Sequence, residues 1–220
     1  SIASDLRRDY NCEMLKQVRI YRHGQAEHNL EDPKGKILPS GKRECRTYLK
    51  DPLLTDSGKT DAKNIDLSWC KDEKSRIAFV SPLRRTLQTA TIAIKANKAK
   101  MKCYALEELR EINNNQLCNH RDSIKDAKKD FVTVDFSSIV DSRAPRDGAE
   151  KRKDFRDACL VLRKRSLRLL RFLEKCKQKH IALFSHGRFM ACLTSEIMGI
   201  GRDYTINPAA NGAYVSLMFC

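Results

Sequence analysis

Residues 18–29 read VRIYRHGQAEHN, an apolar-leaning run that leads straight into Arg22, His23 and Gly24. A strand over 17–21 would deliver a guanidinium and an imidazole to its carboxyl end. Alone, the tripeptide reads equally well as a basic turn. Three further segments repeat the arrangement: SPLRRTLQTA (81–90) follows a predicted strand at 76–80, EELRE (107–111) follows one at 102–105, and FSHG (184–187) closes 180–185. A fifth strand is expected at 213–219. With helical patterns between them, these strands predict an α/β fold around a mostly parallel sheet. In such a sheet the carboxyl ends of neighbouring strands line one edge, where ligands bind. The four segments should therefore converge.

The intervening helices follow from periodicity and punctuation. LLTDSGKTDAKNIDLSWC (53–70) reads as a helix entered through Thr55 or Asp56, whose side-chain oxygen can cap the first-turn N–H groups. SPLRRTLQTATIAIKA (81–96) reads as a second, with Ser81 at the cap and Pro82 where its missing N–H costs nothing. A long helix over 150–178 aligns Phe155, Cys159, Leu162, Leu169, Leu173 and Cys176 as a core-facing stripe and leaves Arg163, Lys164, Arg168 and Arg171 on a solvated face. RFMACLTSEIMG (188–199) forms a further helix ending at Gly199. Two stretches, 29–54 and 113–149, fit no regular period and read as lids or mobile segments of one domain spanning 1–220.

Composition narrows the partners. Lys and Arg number 43 against 28 Asp and Glu, a formal charge of +15 that favours anionic ligands without choosing among them. Basic runs without interleaved aromatics argue against single-stranded nucleic acid. Nine cysteines (12, 45, 70, 103, 118, 159, 176, 192 and 220) contain no C-x-x-C pair and read as reduced thiols of a cytoplasmic protein. No apolar run approaches the ~18 residues of a membrane span, so no membrane association is expected.

Several fragments are decoys. DSGKT (56–60) resembles the end of a phosphate-binding P-loop, but that motif needs a glycine where this chain has Leu53. Cys118 and His120 lack a second pair at ligand spacing, and His180 and His186 stand at opposite ends of one strand. Neither a metal site nor a cofactor is expected. The converging segments instead hold two imidazoles, at least two guanidiniums and a carboxylate, which suffice to move a phosphoryl group without a metal. Neutral imidazole is a competent nucleophile near pH 7, guanidiniums match phosphoryl oxygens with paired donors, and a carboxylic acid can protonate a leaving alkoxide.

RHGQAEHN (22–29), LLTDSGKTDA (53–62), SPLRRTLQTA, LREI (109–112) and LFSHG (183–187), in that order, resemble the signature segments of the histidine phosphatase superfamily, which includes the cofactor-dependent phosphoglycerate mutases. The resemblance runs over nearly the whole chain. More narrowly, LREINNNQLCNHRDSI (109–124) with VDFSSI (134–139) is similar to phosphoglycerate mutase-like phosphatases of fungi and plants. It implies a three-layer α/β/α sandwich in which His23 is transiently phosphorylated, Arg22, Arg85 and His186 surround the phosphoryl group, Asn29 adds a contact and Glu111 donates the proton. Gly24, lacking a Cβ, would let the backbone turn and approach the ligand.

Some assignments have rivals. On a helical wheel Arg84 falls on a polar face with Gln88 and Lys95, whereas Arg85 falls with Thr89 and Ala96, and the family register independently selects Arg85. Glu107 and Glu108 compete with Glu111, which the register favours. The family usually places a glycine just after that acid, where this chain has Asn113, Asn114 and Asn115, residues that tolerate left-handed backbone. Arg121 matches the narrower branch and reads either as a contact to a second anionic group of the substrate or as a solvent-facing loop arginine. Glu27 and His28 fall near the pocket mouth without a fixed role.

The expected function is metal-independent hydrolysis of a small phosphomonoester, phosphopeptides included, through a phosphohistidine. A mutase would use the same apparatus, and the end of the chain directly after the last strand favours hydrolysis over it. A non-catalytic platform for a phospho-ligand or nucleic acid is the alternative of another class.

Overall fold

The computed structural model describes residues 16–70, 72–112, 116–121, 123–140, 155–198 and 212–219. Among them, six strands form one sheet: β1 (Lys16–Arg22), β2 (Arg76–Val80), β3 (Cys103–Ala105), β4 (Val134–Asp135), β5 (His180–Ser185) and β6 (Tyr214–Phe219). Their order is β4-β3-β2-β5-β1-β6, parallel throughout except for β6, which runs antiparallel to β1. Arg22 pairs with Ser185, Phe184 with Val80, and Val80 with Ala105, so four strands end level with one another. This alignment sets His23, Ser81, Leu106 and His186 along one edge.

The two-residue period of the strands divides the core. Val18, Ile20, Ile77, Phe79, Ile181 and Leu183 face one side, where they pack on α4 (Phe155–Lys175) and α5 (Gly187–Met198) through Leu162, Leu169, Leu173, Phe189 and Leu193. Tyr21, Ala78, Val80, Ala182 and Phe184 face the other, against Leu87, Ala90 and Ala93 of α2 (Arg84–Ala96). The small residues on this face let α2 lie close to the sheet. Lys16 is buried and donates its Nζ to the carbonyls of Leu173 and Glu174, capping the carboxyl end of α4 where backbone acceptors lack partners.

The helix expected across 53–70 is shorter than its sequence suggests. It occupies only α1 (Asp56–Lys63), capped by Thr55, whose hydroxyl accepts from the Gly58 N–H at 3.0 Å. Beyond Asn64, IDLSW alternates buried and exposed, sending Ile65, Leu67 and Trp69 into the core as extended chain does. Asn97 satisfies this backbone by donating to Ile65 O at 2.8 Å and accepting from Leu67 N at 3.1 Å.

Ser81 does not cap α2 either. The helix starts after Leu83, and Asp51, held at φ 41°, accepts from the Arg84 N–H at 2.9 Å in its place. The long basic helix holds its expected face: Arg163, Lys164, Arg168 and Arg171 are exposed. Phe155, Cys159 and Gly199 lie outside the residues described at side-chain level.

The irregular stretch 113–149 is also more ordered than expected where it is described. It contains α3 (Ile124–Asp130) and β4, and Ile124, Phe131, Val134, Phe136 and Ile139 bury themselves in the core. Elements of seven and two residues are too short to register as a period. By contrast, 29–54 is an exposed excursion that closes on itself through backbone bridges Glu31↔Cys45 and Ile37↔Arg43. Among the described residues no disulfide forms, and Cys70, Cys103 and Cys192 pack as small apolar side chains.

Candidate active site

His23 stands one residue past the end of β1 and is 2% exposed. Its Nδ1 lies 2.7 Å from Gly24 O, which can only accept, so the proton sits on Nδ1 and Nε2 carries the lone pair. Arg85 agrees, donating its Nε–H to that Nε2 at 3.3 Å. Burial, reinforced by the positive Arg85 and by His28, pushes the His23 imidazole well below its ordinary range. The ring is therefore neutral near pH 7, with its nucleophilic nitrogen on the side of the cationic guanidinium.

Arg85 itself is 1% exposed and also donates from Nη1 to Cys118 O at 2.6 Å and from Nη2 to Asn119 Oδ1 at 3.0 Å, three of its five N–H groups being used in these bonds and the one to His23. These bonds fix the plane of the fork. Arg84, its rival in the sequence, points the other way and pairs with Asp130 at 2.6 Å. His186 follows β5, fully buried, its ring 5.2 Å from that of His23 and its Nε2 2.8 Å from Ser81 Oγ. Burial, then the positive Arg85, holds this imidazole well below its usual range too.

Glu111 is 8% exposed and sits at the amino end of α5. Oε1 accepts from Ile112 N (2.9 Å) and Phe189 N (3.0 Å), and Oε2 from Arg188 N (3.2 Å). A helix amino terminus presents unpaired N–H groups, and here they orient the carboxyl group. The loop that bears it is pinned from two sides: Ser185 Oγ donates to Leu109 O at 2.7 Å, and buried Arg165 donates to Arg110 O at 2.6 Å while lying over the Phe189 ring. Glu107 is occupied by Arg110 and Arg121, and Glu108 stands 3.8 Å from Arg168.

The loop after His23 is held equally firmly. A Cβ on Gly24 would fall 2.2 Å from Gly58 O, and one on Gly58 would fall 1.8 Å from Gln25 O. The contact that demands glycine at 24 is thus with α1, not with a ligand, and the same contact explains the glycine of DSGKT. Thr55 N donates to Gln25 O at 3.0 Å, Gln25 N to Asp61 Oδ2 at 3.0 Å, and Gly24 N to Thr89 Oγ1 at 3.2 Å. Asn29 accepts from Ala26 N at 3.0 Å through Oδ1.

Arg22, His23, Asn29, Arg85 and Glu111 line one cavity of about 550 Å³. Its outer wall comes from Leu38 and Thr47 of the 29–54 excursion and from Gln116 and Cys118. Arg121 is not in that wall. It is buried, bound to Glu107 through Nε at 2.7 Å, and borders a separate small cavity with Lys50 and Arg84, so it fits neither sequence-based reading. The reason is that Glu107, in sequence a rival for the acid role, lies directly beside it.

Sequence reasoning missed Asn119, Ser81, Thr89 and Arg165, whereas His28, expected near the pocket mouth, does line the cavity. Only Ser81 carried a signal, as the first residue after a strand end. Cys118, His120 and the other histidines form no metal-binding group; among the described residues no three His, Cys, Asp or Glu side chains are so arranged.

Known proteins place this architecture. The chain is 26% identical over 215 residues to phosphoglycerate mutase-like protein 1 of Arabidopsis thaliana, covering 82% of this chain and 71% of that one. An ecdysone phosphate phosphatase from Bombix mori, solved with tungstate, has a TM-score of 0.59 at 16% identity, covering 91% of this chain and 88% of its own. A mycobacterial glucosyl-3-phosphoglycerate phosphatase has a TM-score of 0.55 at 15% identity, covering 92% and 89%. At such identities the structural likeness concerns the fold. Residues 18–218 match the family model of the histidine phosphatase superfamily (branch 1), and on that match, extending from β1 to β6, the chain belongs to this family.

Proposed function

We propose that the chain is a phosphatase that hydrolyses a small phosphomonoester through a phosphohistidine on His23, without a metal. The observation that carries this reading is the His23 imidazole, neutral, with Nδ1–H tied to Gly24 O and Nε2 beside Arg85 in the cavity. Arg22 and Arg85 receive the phosphoryl oxygens, with His186 and Asn29 completing the surround. The Nε2 lone pair attacks phosphorus as the ester P–O bond breaks, and Glu111 in its acid form gives its proton to the leaving oxygen. Water then attacks the phosphorus of the P–N bond, yields a proton to Glu111 and releases phosphate. No group is redistributed except the phosphoryl and that proton.

The fold does not select the alcohol. The two phosphatases compared above are named for a steroid phosphate and a sugar phosphoglycerate, and function resides in the walls of the site. Among the described residues no helix is long and apolar enough to cross a membrane, and a cytoplasmic enzyme acting on a soluble substrate fits the reduced cysteines.

The test is a panel of phosphomonoesters assayed with a chelator present, comparing wild type with His23→Ala, together with trapping of the phosphoenzyme by quenching into alkaline detergent. Turnover with chelator, a trapped acid-labile phosphoryl group and loss of both in His23→Ala are expected. Comparable turnover in the variant would remove the nucleophile.

A further inference from the structure

His28 is a second imidazole in the cavity wall beside His23, its ring 5.7 Å from that of His23 and its Nε2 3.3 Å from Asn29 Nδ2. The surrounding bonds assign its tautomer. Asn29 Oδ1 already accepts from the Ala26 N–H, so the amide turns its Nδ2–H₂ towards His28 Nε2, which must accept. The single proton of the neutral ring is then on Nδ1. That Nδ1 is sealed from solvent and has no hydrogen-bond partner. A buried donor left without an acceptor is unfavourable, and in native structures such groups call for an explanation. Nδ1 of His186, on the ring 5.2 Å from His23, is buried and unpartnered in the same way.

We propose that His28 is a further contact to the transferred phosphoryl group, with its Nδ1–H donating to an oxygen of the phosphoryl carried by His23. The inference rests on the phosphohistidine reading above, because the phosphoryl oxygen is the acceptor this donor lacks. Burial and the nearby charges of Arg85 and Arg22 depress the His28 imidazole to about 3, so the contact is made by a neutral donor. Arg22 and Arg85 supply charge; His28 supplies direction. Its place on the short turn Glu27–Asn29, bonded to Asn29, couples the two residues that close this side of the phosphoryl group.

Orthovanadate, which mimics five-coordinate phosphorus, provides the probe, with binding measured by calorimetry and turnover on p-nitrophenyl phosphate. His28→Leu removes the donor at similar volume and should weaken vanadate binding and lower kcat/KM by about ten- to a hundredfold. His28→Asn places an amide donor near the position of Nδ1 and should recover most of both. Wild-type affinity in His28→Leu, or no recovery in His28→Asn, would overturn the proposal.

Should neither variant fold, imidazole NMR of the wild type decides. The Nδ1–H signal of His28 should shift and become protected from exchange on adding vanadate, and an unchanged signal overturns the contact. Continued turnover in His23→Ala would remove the underlying reading together with this one. An inactive His23→Ala beside an unaltered His28→Leu would remove His28 alone.

Discussion

Replacing Gly58 by alanine tests the packing on which the catalytic loop depends, because helix propensity and tertiary contact predict opposite signs. Alanine in a helix is favoured over glycine by up to about 1 kcal/mol, so Gly58→Ala in isolation should stabilise α1. In the folded chain the new Cβ would lie 1.8 Å from Gln25 O and 2.8 Å from Gln25 N, both backbone atoms that cannot rotate away. Real Cβ contacts essentially never fall below 3.0 Å, so α1 and the loop must separate by more than an ångström. Overpacking of this kind costs about 1–3 kcal/mol. It would also strain the bonds by which Thr55 and Asp61 hold Gln25. The expected net loss of about 1–2 kcal/mol corresponds to a Tm lower by about 2–8 °C for a chain of this size. Because Gln25 is two residues from His23, displacement should reach the nucleophile, and misplacement by about 1 Å can cost on the order of 10² in rate. Thermal melts followed by circular dichroism and steady-state turnover measure both quantities. A raised Tm with unchanged kcat would refute the claim that α1 positions the loop through this contact.

Glu111→Gln should reveal its role through the leaving group: hydrolysis of an alkyl phosphate falls by about 10²–10⁴, whereas p-nitrophenyl phosphate, whose leaving group needs no proton, loses far less. Equal losses on both substrates would count against proton donation. Acid should destabilise the chain in a defined direction. His23, His28 and His186 stay neutral when folded, while unfolded imidazole titrates near 6.5, so unfolding takes up protons below that pH. Their contribution is complete above about pH 6.5 and is lost as the pH falls, by up to about 1.4 kcal/mol per pH unit for each ring. Urea titrations at pH 7.5, 6 and 5 should show this decline, with a shallower slope in His28→Asn; a flat profile would contradict the burial of neutral rings.

Strand positions were legible because two-residue alternation and buried apolar runs are local properties, and β1, β2, β3 and β5 fall within a residue of their expected bounds. That Arg85 and Arg84 go to different places was legible for the same reason, since a helical wheel distinguishes neighbouring residues: Arg85 lines the cavity and Arg84 pairs with Asp130. Residues 65–69 were misread as helix because their period is short and the partner that satisfies their backbone, Asn97, lies about thirty positions away. Ser81 was misread as a helix cap because its partner His186 is 105 residues distant.

By itself the sequence determined that four chemistry-bearing segments stand at the ends of parallel strands, and hence that they share one edge of the sheet. Backbone periodicity and residue type are sufficient for that. Only the tertiary structure decided what each side chain is bound to: Arg121 goes to Glu107 and leaves the cavity, Glu111 is oriented by the amino end of α5, and the glycine at 24 answers to Gly58. His28 likewise comes to stand beside Asn29 in the cavity wall. Hydrogen-bond partners and close approaches depend on distances between residues far apart in the chain, and no local pattern encodes them.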